Sequence, residues 1–206
     1  MHDPEYCFFT CDALVSLVPL APSVVKSIVP LRMGLVWRYR TTRFDVDGTV
    51  LTTEYTTSDI QRSVTLDREH WYSGPGSGDT GNFRANRADG LYTRYHSRYL
   101  GLDYWSPPKR NLKYPVQVGE VFTDENNNVL RVASVSRSAS VHAGTFDCVL
   151  YISTPPDMDS SDVYYSHSDL YYSPGVGLVL AEYHCRSLEG MMFLTARTEL
   201  SQAPEI

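Results

Sequence analysis

The sequence has 206 residues, of which 42% are apolar and 20% are charged, and its formal net charge at pH 7 is -6. This length fits one domain, and the apolar content suffices for a sizeable core, so extensive disorder is excluded. The negative net charge argues against a basic surface along the whole chain that could bind nucleic acid. Nucleic acid is therefore not expected as a partner. Four cysteines are too few for a disulfide scaffold.

The first 30 residues are predicted to form an irregular or short-helical arm ahead of the folded domain. Residues 12–31 are largely apolar but contain Asp12, Lys26 and three prolines. A membrane-spanning helix needs about 20 apolar residues with few charges, so none is expected here. We expect the arm to dock on a protein partner or a membrane surface, because exposed apolar side chains are otherwise a liability. The predicted partner-binding residues of this arm are Leu14, Val15, Leu17 and Val18.

The extreme N-terminus does not read as a secretory signal, because Met1 to Thr10 has no basic residue and no clean apolar run. Cys11 keeps lipid anchoring open as an alternative. The preceding Phe8-Phe9-Thr10 fits a lipoprotein cleavage site poorly, since a small residue normally stands just before the lipidated cysteine.

From residue 34 onwards the sequence predicts β-strands joined by turns. Trp37 and Tyr39 alternate with Arg38 and Arg40, which is the two-residue period of a strand with one apolar face. Asp47-Gly48 then predicts a hairpin turn, because glycine accepts a positive φ angle.

The remainder of the chain repeats this pattern. Further strands are predicted at 49–57, 60–72, 91–99, 120–123, 129–141, 145–153, 163–172, 176–184 and 191–200. About ten strands without a long amphipathic helix indicate an all-β, antiparallel fold. We expect residues 31–206 to form it as a single domain.

One short pattern occurs twice. Pro30 to Trp37 and Pro115 to Phe122 share a proline, alternating apolar positions, a glycine and a final aromatic residue. A turn at the glycine would redirect each strand so that the aromatic side chain enters the core. The two copies indicate either duplicated halves or two strands that enter a sheet in the same way.

Four segments resemble a family of bacterial envelope and secreted β-rich domains of unknown function, the TapB-like domains. They are Gly34-x-x-Trp37-x-Tyr39, Tyr114 to Gly119, Ala143 to Cys148 and Tyr172 to Val179, the last followed by Glu182-Tyr183. The resemblance implies an antiparallel sheet curled into a half-barrel or open barrel, similar to lipoprotein-carrier folds. It implies a location in the bacterial cell envelope, periplasmic or associated with the outer membrane, and it supplies no catalytic residues.

A basic and aromatic segment covers residues 84–113. It carries seven basic and two acidic side chains, interleaved with Tyr and Trp. Arginine and tyrosine are common anchors of protein interfaces, so a protein or glycan partner is one interpretation. The other interpretation is that the arginines stack on aromatic rings for packing. The predicted partner-binding residues here are Arg94, Tyr95, Arg98 and Tyr99.

No catalytic, cofactor-binding or metal-binding residue is predicted. The six histidines are dispersed, and a nucleophile elbow, a phosphate-binding loop and a paired zinc motif are all missing from the sequence. His167-Ser168-Asp169 and His184-Cys185 are not enough to indicate a site. The acidic run from Asp157 to Asp162 lacks the glycine and final glutamate of a calcium loop. Cys148 and Cys185 either form a disulfide or are two buried thiols.

The sequence therefore predicts a non-enzymatic binding or structural protein of the bacterial cell envelope. The first hypothesis is an accessory subunit that docks on a larger protein assembly or a membrane surface. The alternatives are a carrier that holds a lipid-like ligand in a half-barrel and a hydrolase of envelope polymers. No cofactor is expected, and the oligomeric state is left open.

Overall fold

The computed structural model of the protein describes residues 27–74, 80–156, 166–187 and 189–205. The predicted arm residues Leu14, Val15, Leu17 and Val18, and the acidic run from Asp157 to Asp162, lie outside these ranges. Across the described ranges the regular elements are strands, and no helix occurs. The strands are β1 (Val36–Phe44), β2 (Val50–Asp59), β3 (Arg62–Leu66), β4 (Glu69–Ser73), β5 (Gly81–Arg87), β6 (Gly90–Tyr99), β7 (Leu102–Trp105), β8 (Lys109–Lys113), β9 (Val121–Thr123), β10 (Val129–Val141), β11 (Gly144–Thr154), β12 (His167–Ser173), β13 (Gly177–Arg186) and β14 (Met192–Glu205).

The strands form two antiparallel sheets. The larger sheet has the order β2-β1-β14-β13-β12-β11-β10-β9. The smaller sheet has the order β3-β4-β5-β6-β7, with β8 paired to the same strand β6, and it curls into a half-barrel. The predicted all-β, antiparallel fold class with a half-barrel is confirmed. The division into two sheets differs from the single curled surface that the strand pattern suggested.

The smaller sheet is inserted into the larger one along the chain. Strands β1 and β2 start the larger sheet, strands β3 to β8 build the smaller sheet, and strands β9 to β14 return to the larger sheet. The last strand, β14, pairs with β1 and so joins the two ends of the chain. The larger sheet therefore depends on a pairing between residues distant in sequence, whereas the smaller sheet pairs strands that are close in sequence.

The main core lies where the two sheets meet. Leu91 of β6 and Leu112 of β8 pack in one cluster with Trp37 of β1 and Leu200 of β14. Ile28 and Val29, which belong to the predicted arm, are buried in the same cluster. The chain segment just before β1 is thus part of the core, while the predicted domain boundary at residue 30 stays a prediction.

The repeated pattern forms the same turn twice. Gly34 has a φ of 82° and Gly119 a φ of 88°, a conformation that favours glycine. The amide of Gly34 donates to the carbonyl of Ile60, and the amide of Gly119 donates to the carbonyl of Val132. Each turn leads into an edge hairpin of the larger sheet, β1–β2 and β9–β10, and the aromatic residue that ends each pattern is buried.

The turn between β12 and β13 contains the most specific part of the family resemblance, Ser173-Pro-Gly-Val-Gly177. The indole Nε1 of Trp37 donates to the carbonyl of Val176 at 2.7 Å, and the amide of Gly175 donates to the carbonyl of Ser27 at 2.8 Å. A Cβ atom at Gly177 would lie 3.5 Å from that indole nitrogen, and the φ of Gly177 is 100°. The turn therefore has a structural role: it fixes Trp37 and the segment before β1.

The contact between the sheets gives the first testable prediction. Leu112 is 1% exposed and links β8 to the larger sheet, whereas Leu102 in β7 is 75% exposed. We expect Leu112→Ala to lower the free energy of unfolding by about 3 kcal/mol, because it leaves a cavity in the core. The matched control Leu102→Ala changes it by less than about 0.5 kcal/mol. Urea denaturation measures both values, and equal effects would contradict the described packing.

Candidate binding cleft

A cleft opens between the two sheets beside the main core. Its volume is about 440 Å³, which lies within the range of about 300–1,000 Å³ typical of small-molecule sites. Strands β1 and β2 and the β12–β13 hairpin form one wall, and β4, β5, β6 and β8 form the other. The apolar side chains that line it are Val29, Leu31, Trp37, Ile60, Leu91 and Leu178.

Arg84 is the basic residue that lines this cleft. It lies on β5, directly opposite Tyr72 on β4, and side-chain alternation places it on the face of the smaller sheet opposite to Phe83 and Ala85. Within the described ranges, no carboxylate lies within 4.0 Å of its guanidinium. Arg84 therefore brings a positive charge to a cleft whose described lining combines apolar, tyrosine and neutral polar side chains with one carboxylate, that of Asp59.

Two tyrosines face Arg84 from the larger sheet. Burial is the main cause that raises the pKa of Tyr39 above its usual range, and burial raises the pKa of Tyr172 to about 12. The positive charge of Arg84 opposes this rise for both phenols, so its field reaches both side chains. The hydroxyl of Tyr39 donates to the carbonyl of Leu178 at 3.3 Å. Both phenols are therefore neutral hydrogen-bonding groups near pH 7.

The remaining polar lining includes one carboxylate and two side-chain amides. Asp59 accepts a hydrogen bond from the amide of Gln61 at 2.7 Å, and Asn82 and Asn111 offer amide groups. Among the described residues that line the cleft there is neither a histidine nor a cysteine. The arrangement can hold an elongated apolar group along one wall and an anionic group at Arg84.

The sequence analysis did not identify Arg84 or the tyrosines of the cleft. Strand alternation predicts that Asn82, Arg84 and Asn86 share a face of β5. That face is wholly polar and the other carries Phe83 and Ala85, so the pattern predicts that the Arg84 face meets solvent and gives no sign of a cleft against the larger sheet. Only the pairing of distant strands resolves this.

Three of the predicted partner-binding residues lie at or near the β6–β7 hairpin. Tyr99 is 75% exposed, and Tyr95 and Arg98 are about half exposed. Leu100 and Leu102 at the turn are more than two thirds exposed. We call this set, Tyr95, Arg98, Tyr99, Leu100, Leu102 and Tyr104, the hairpin surface. Its role in binding a partner stays a prediction.

Arg94 has a different environment from the other predicted residues. Its side chain is 12% exposed and its guanidinium carbon lies 5.4 Å from the ring centre of Trp71 and 5.9 Å from that of Trp105. Its Nε donates to the carbonyl of Ser106 at 2.9 Å, and it forms an ion pair with Asp67 at 3.2 Å. These contacts correspond to the second interpretation of the basic segment, in which arginine stacks on aromatic rings.

The larger sheet brings together a group of residues for which the sequence analysis predicted no site. His167 and Asp169 on β12 and His184 on β13 place one ligand atom each within 4.8 Å of one another. The signal in the sequence is the His-x-Asp spacing, which puts both side chains on one face of a strand. The position of His184 beside them follows from strand register, which the sequence pattern does not show.

The two cysteines of the described ranges are free thiols, so the disulfide interpretation does not describe this structure. Cys148 is buried, and burial raises the pKa of its thiol to about 11. A thiol of this kind is protonated near pH 7 and is a weak nucleophile.

Within the described ranges, no helix has the length and apolar character that crossing a membrane requires.

Comparison with known proteins gives two structural likenesses. No family profile and no curated protein matches this chain. A candidate exported protein with a YmcC-like fold from Bacteroides fragilis has a TM-score of 0.47 and 11% identity over 87% of this chain and 100% of its own. A candidate lipoprotein from Parabacteroides distasonis has a TM-score of 0.45 and 16% identity over 88% of this chain and 100% of its own. At these TM-scores neither likeness decides the location or function of this chain, and the TapB-like resemblance stays a prediction.

The buried phenol of Tyr172 gives a pH-dependent prediction. The folded state holds this proton more tightly than the unfolded chain, whose tyrosines have pKa values of about 10. The stabilisation that the protonated phenol of Tyr172 contributes is therefore fully present below pH 10 and is lost as the pH rises towards 12. We expect Tyr172→Phe to reduce this loss by an amount on the order of 2 kcal/mol, measured by urea denaturation between pH 9 and pH 12. An identical pH dependence in the variant would contradict burial of the phenol.

Proposed function

We propose that the protein is a non-enzymatic binding protein whose cleft holds a small amphiphilic ligand with an anionic group. The observation that carries this proposal is Arg84, a basic side chain without an acidic partner among the described residues, set beside an apolar wall. A fatty acid or a similar single-chain carboxylate has the required chemistry.

The charge at Arg84 favours an anion for a physical reason. Arg84 is an exposed residue, so an anion can reach its guanidinium, and a hydrogen bond between two charged groups is roughly twice as strong as a neutral one. The neutral phenol of Tyr172 adds a donor, and neither it nor Tyr39, whose hydroxyl donates to Leu178, adds a competing negative charge near pH 7. The carboxylate of Asp59 accepts a hydrogen bond from the side-chain amide of Gln61. It is the one carboxylate of the described lining that an anion at Arg84 must avoid.

The apolar wall favours an acyl chain. Trp37 and Ile60 on one side of the cleft and Leu91 on the other present carbon atoms to the cavity, and all three belong to the buried cluster that joins the sheets. An acyl chain placed against them loses contact with water, which contributes about 25 cal/mol for each Å² of apolar surface removed. The ligand would extend the core rather than replace any part of it.

We propose further that the protein acts in the bacterial cell envelope. This proposal is supported by the resemblance of its sequence segments to envelope and secreted β-rich domains. A carrier in this compartment shields an acyl chain from water between one membrane and another site.

A second candidate function is docking on a larger protein assembly, and the hairpin surface favours it. Four apolar or aromatic side chains, Tyr99, Leu100, Leu102 and Tyr104, are more than half exposed on one hairpin. Exposed groups of this kind beside arginine are typical of interface anchors. The predicted arm residues Leu14, Val15, Leu17 and Val18 would add a further apolar contact. The two functions are compatible because the cleft and the hairpin surface share no residue.

The proposed ligand is tested with a fluorescent fatty acid and the fatty alcohol of the same chain. We expect the full chain to bind the acid and Arg84→Gln to weaken that binding about tenfold, which corresponds to 1.4 kcal/mol. Binding of the alcohol changes little in the same variant, because it has no negative charge. The control Arg43→Gln alters an exposed arginine on β1 outside the cleft and leaves both affinities unchanged. The proposal would be contradicted if Arg84→Gln and Arg43→Gln weakened binding of the acid equally, or if the unmodified protein did not bind the acid.

The docking function is tested by retention on a native membrane fraction. We expect the double variant Tyr99→Ser, Leu102→Ser to be retained less than the unmodified protein, since it removes two exposed apolar anchors. The matched control is Val50→Ser, Leu51→Ser on the edge strand β2, where both side chains are also more than half exposed. A truncation that tests the arm should end at residue 26, because Ile28 and Val29 belong to the core. Equal retention of all variants would refute docking through these segments.

A further inference from the structure

Strands β12 and β13 place two histidines and one aspartate together on one face of the larger sheet. His167 lies directly opposite His184 in the strand register, and Asp169 follows two residues after His167 on the same face. This is the face that carries Tyr171, and it is opposite to the face through which Tyr172 lines the cleft. The group is therefore separate from the proposed ligand site.

The donor atoms of these three side chains converge. The two imidazole rings are stacked, with centroids 4.7 Å apart and an angle of 13° between their planes. The Nε2 atom of His167 lies 3.6 Å from the Oδ1 atom of Asp169. One ligand atom from each residue lies within 4.8 Å of the other two. A zinc ion with bonds of about 2.0–2.2 Å to each donor needs donors roughly 3.3–3.6 Å apart, so small side-chain rotations suffice.

Two of these atoms are buried without a hydrogen-bond partner. They are Oδ1 of Asp169 and Nε2 of His184. Within the described part of the chain, Asp169 also has no lysine or arginine within 4.0 Å. Arg197, which lies across from Glu182 on β14, forms ion pairs with Glu182 at 3.9 Å and Glu199 at 3.5 Å. A buried polar group without a partner destabilises the fold, and a cation between these two atoms would offset that cost.

The neighbouring hydroxyl indicates which atom of His167 is available. The Oγ atom of Ser166 lies 3.3 Å from Nδ1 of His167, which leaves Nε2 directed to Asp169. Metal-binding histidines commonly use one ring nitrogen for the ion and the other for such a hydrogen bond.

We propose that His167, Asp169 and His184 bind one divalent transition-metal ion, with Zn²⁺ as the best fit. Two imidazole nitrogens and one carboxylate oxygen are ligands that zinc accepts, and three protein ligands leave a fourth position for water. The ligands are Nε2 of His167, Oδ1 of Asp169 and Nε2 of His184. The site goes beyond the proposed ligand-binding function and does not depend on it.

The experiment uses the full chain, freed of metal, and titrates it with Co²⁺, whose visible absorption reports its coordination, and then with Zn²⁺ in competition. We expect one Co²⁺ for each chain and its displacement by Zn²⁺. We expect His184→Gln and Asp169→Asn to weaken binding at least about 100-fold, more than the loss of an outer-shell partner. His142→Gln is the matched control, because His142 lies at the end of β10, away from these strands, and this variant should bind like the unmodified protein.

Thermal unfolding separates loss of the site from loss of the fold. Without metal, the His184→Gln variant should melt near the temperature of the unmodified protein, since Nε2 of His184 makes no hydrogen bond that the substitution would remove. With Zn²⁺, the melting temperature should rise for the unmodified protein and for His142→Gln and stay constant for His184→Gln. Absence of one-to-one binding, or equal binding by the His184 and His142 variants, would overturn the proposal.

Discussion

Leu91 and Leu112 hold the smaller sheet against the larger one, and the cleft between the sheets depends on this contact. Both side chains are almost fully buried in the cluster that contains Trp37 and Leu200. Each fully buried leucine contributes about 1.5–3 kcal/mol relative to an exposed one. The β12–β13 turn fixes the indole of Trp37 by a hydrogen bond, so the wall of the cleft is set by the same residues that join the sheets.

The smaller sheet uses its arginines differently on its two faces. Arg84 faces the cleft, while Arg94, which lies opposite Phe83 in the register of β5 and β6, packs against Trp71 on the other face. The guanidinium of Arg94 stacks on an aromatic ring and pairs with Asp67 within the protein. The guanidinium of Arg84 has no acidic partner among the described residues. The arginines of this segment thus divide into a packing role for Arg94 and a proposed binding role for Arg84.

The sequence reveals the strands but not their arrangement. The alternation of Trp37 with Arg38 and the turn at Asp47-Gly48 are local signals, and the structure has both a strand and a hairpin there. The division into two sheets depends on which distant strands pair, and many strands in this chain share the same two-residue period. Whether Arg84 or Arg94 faces a cavity, and whether His184 reaches His167, follows from that pairing, so the candidate sites were not predictable from local pattern.

Quenching of tryptophan fluorescence by a brominated fatty acid tests most directly whether a ligand enters between the two sheets. Trp37 lines the cleft, whereas Trp71 and Trp105 belong to the aromatic cluster on the other face of the smaller sheet. We expect the unmodified protein to be quenched on binding and the Trp37→Phe variant to bind without quenching. Quenching of the same extent in both proteins would place the acyl chain away from the cleft and contradict this account.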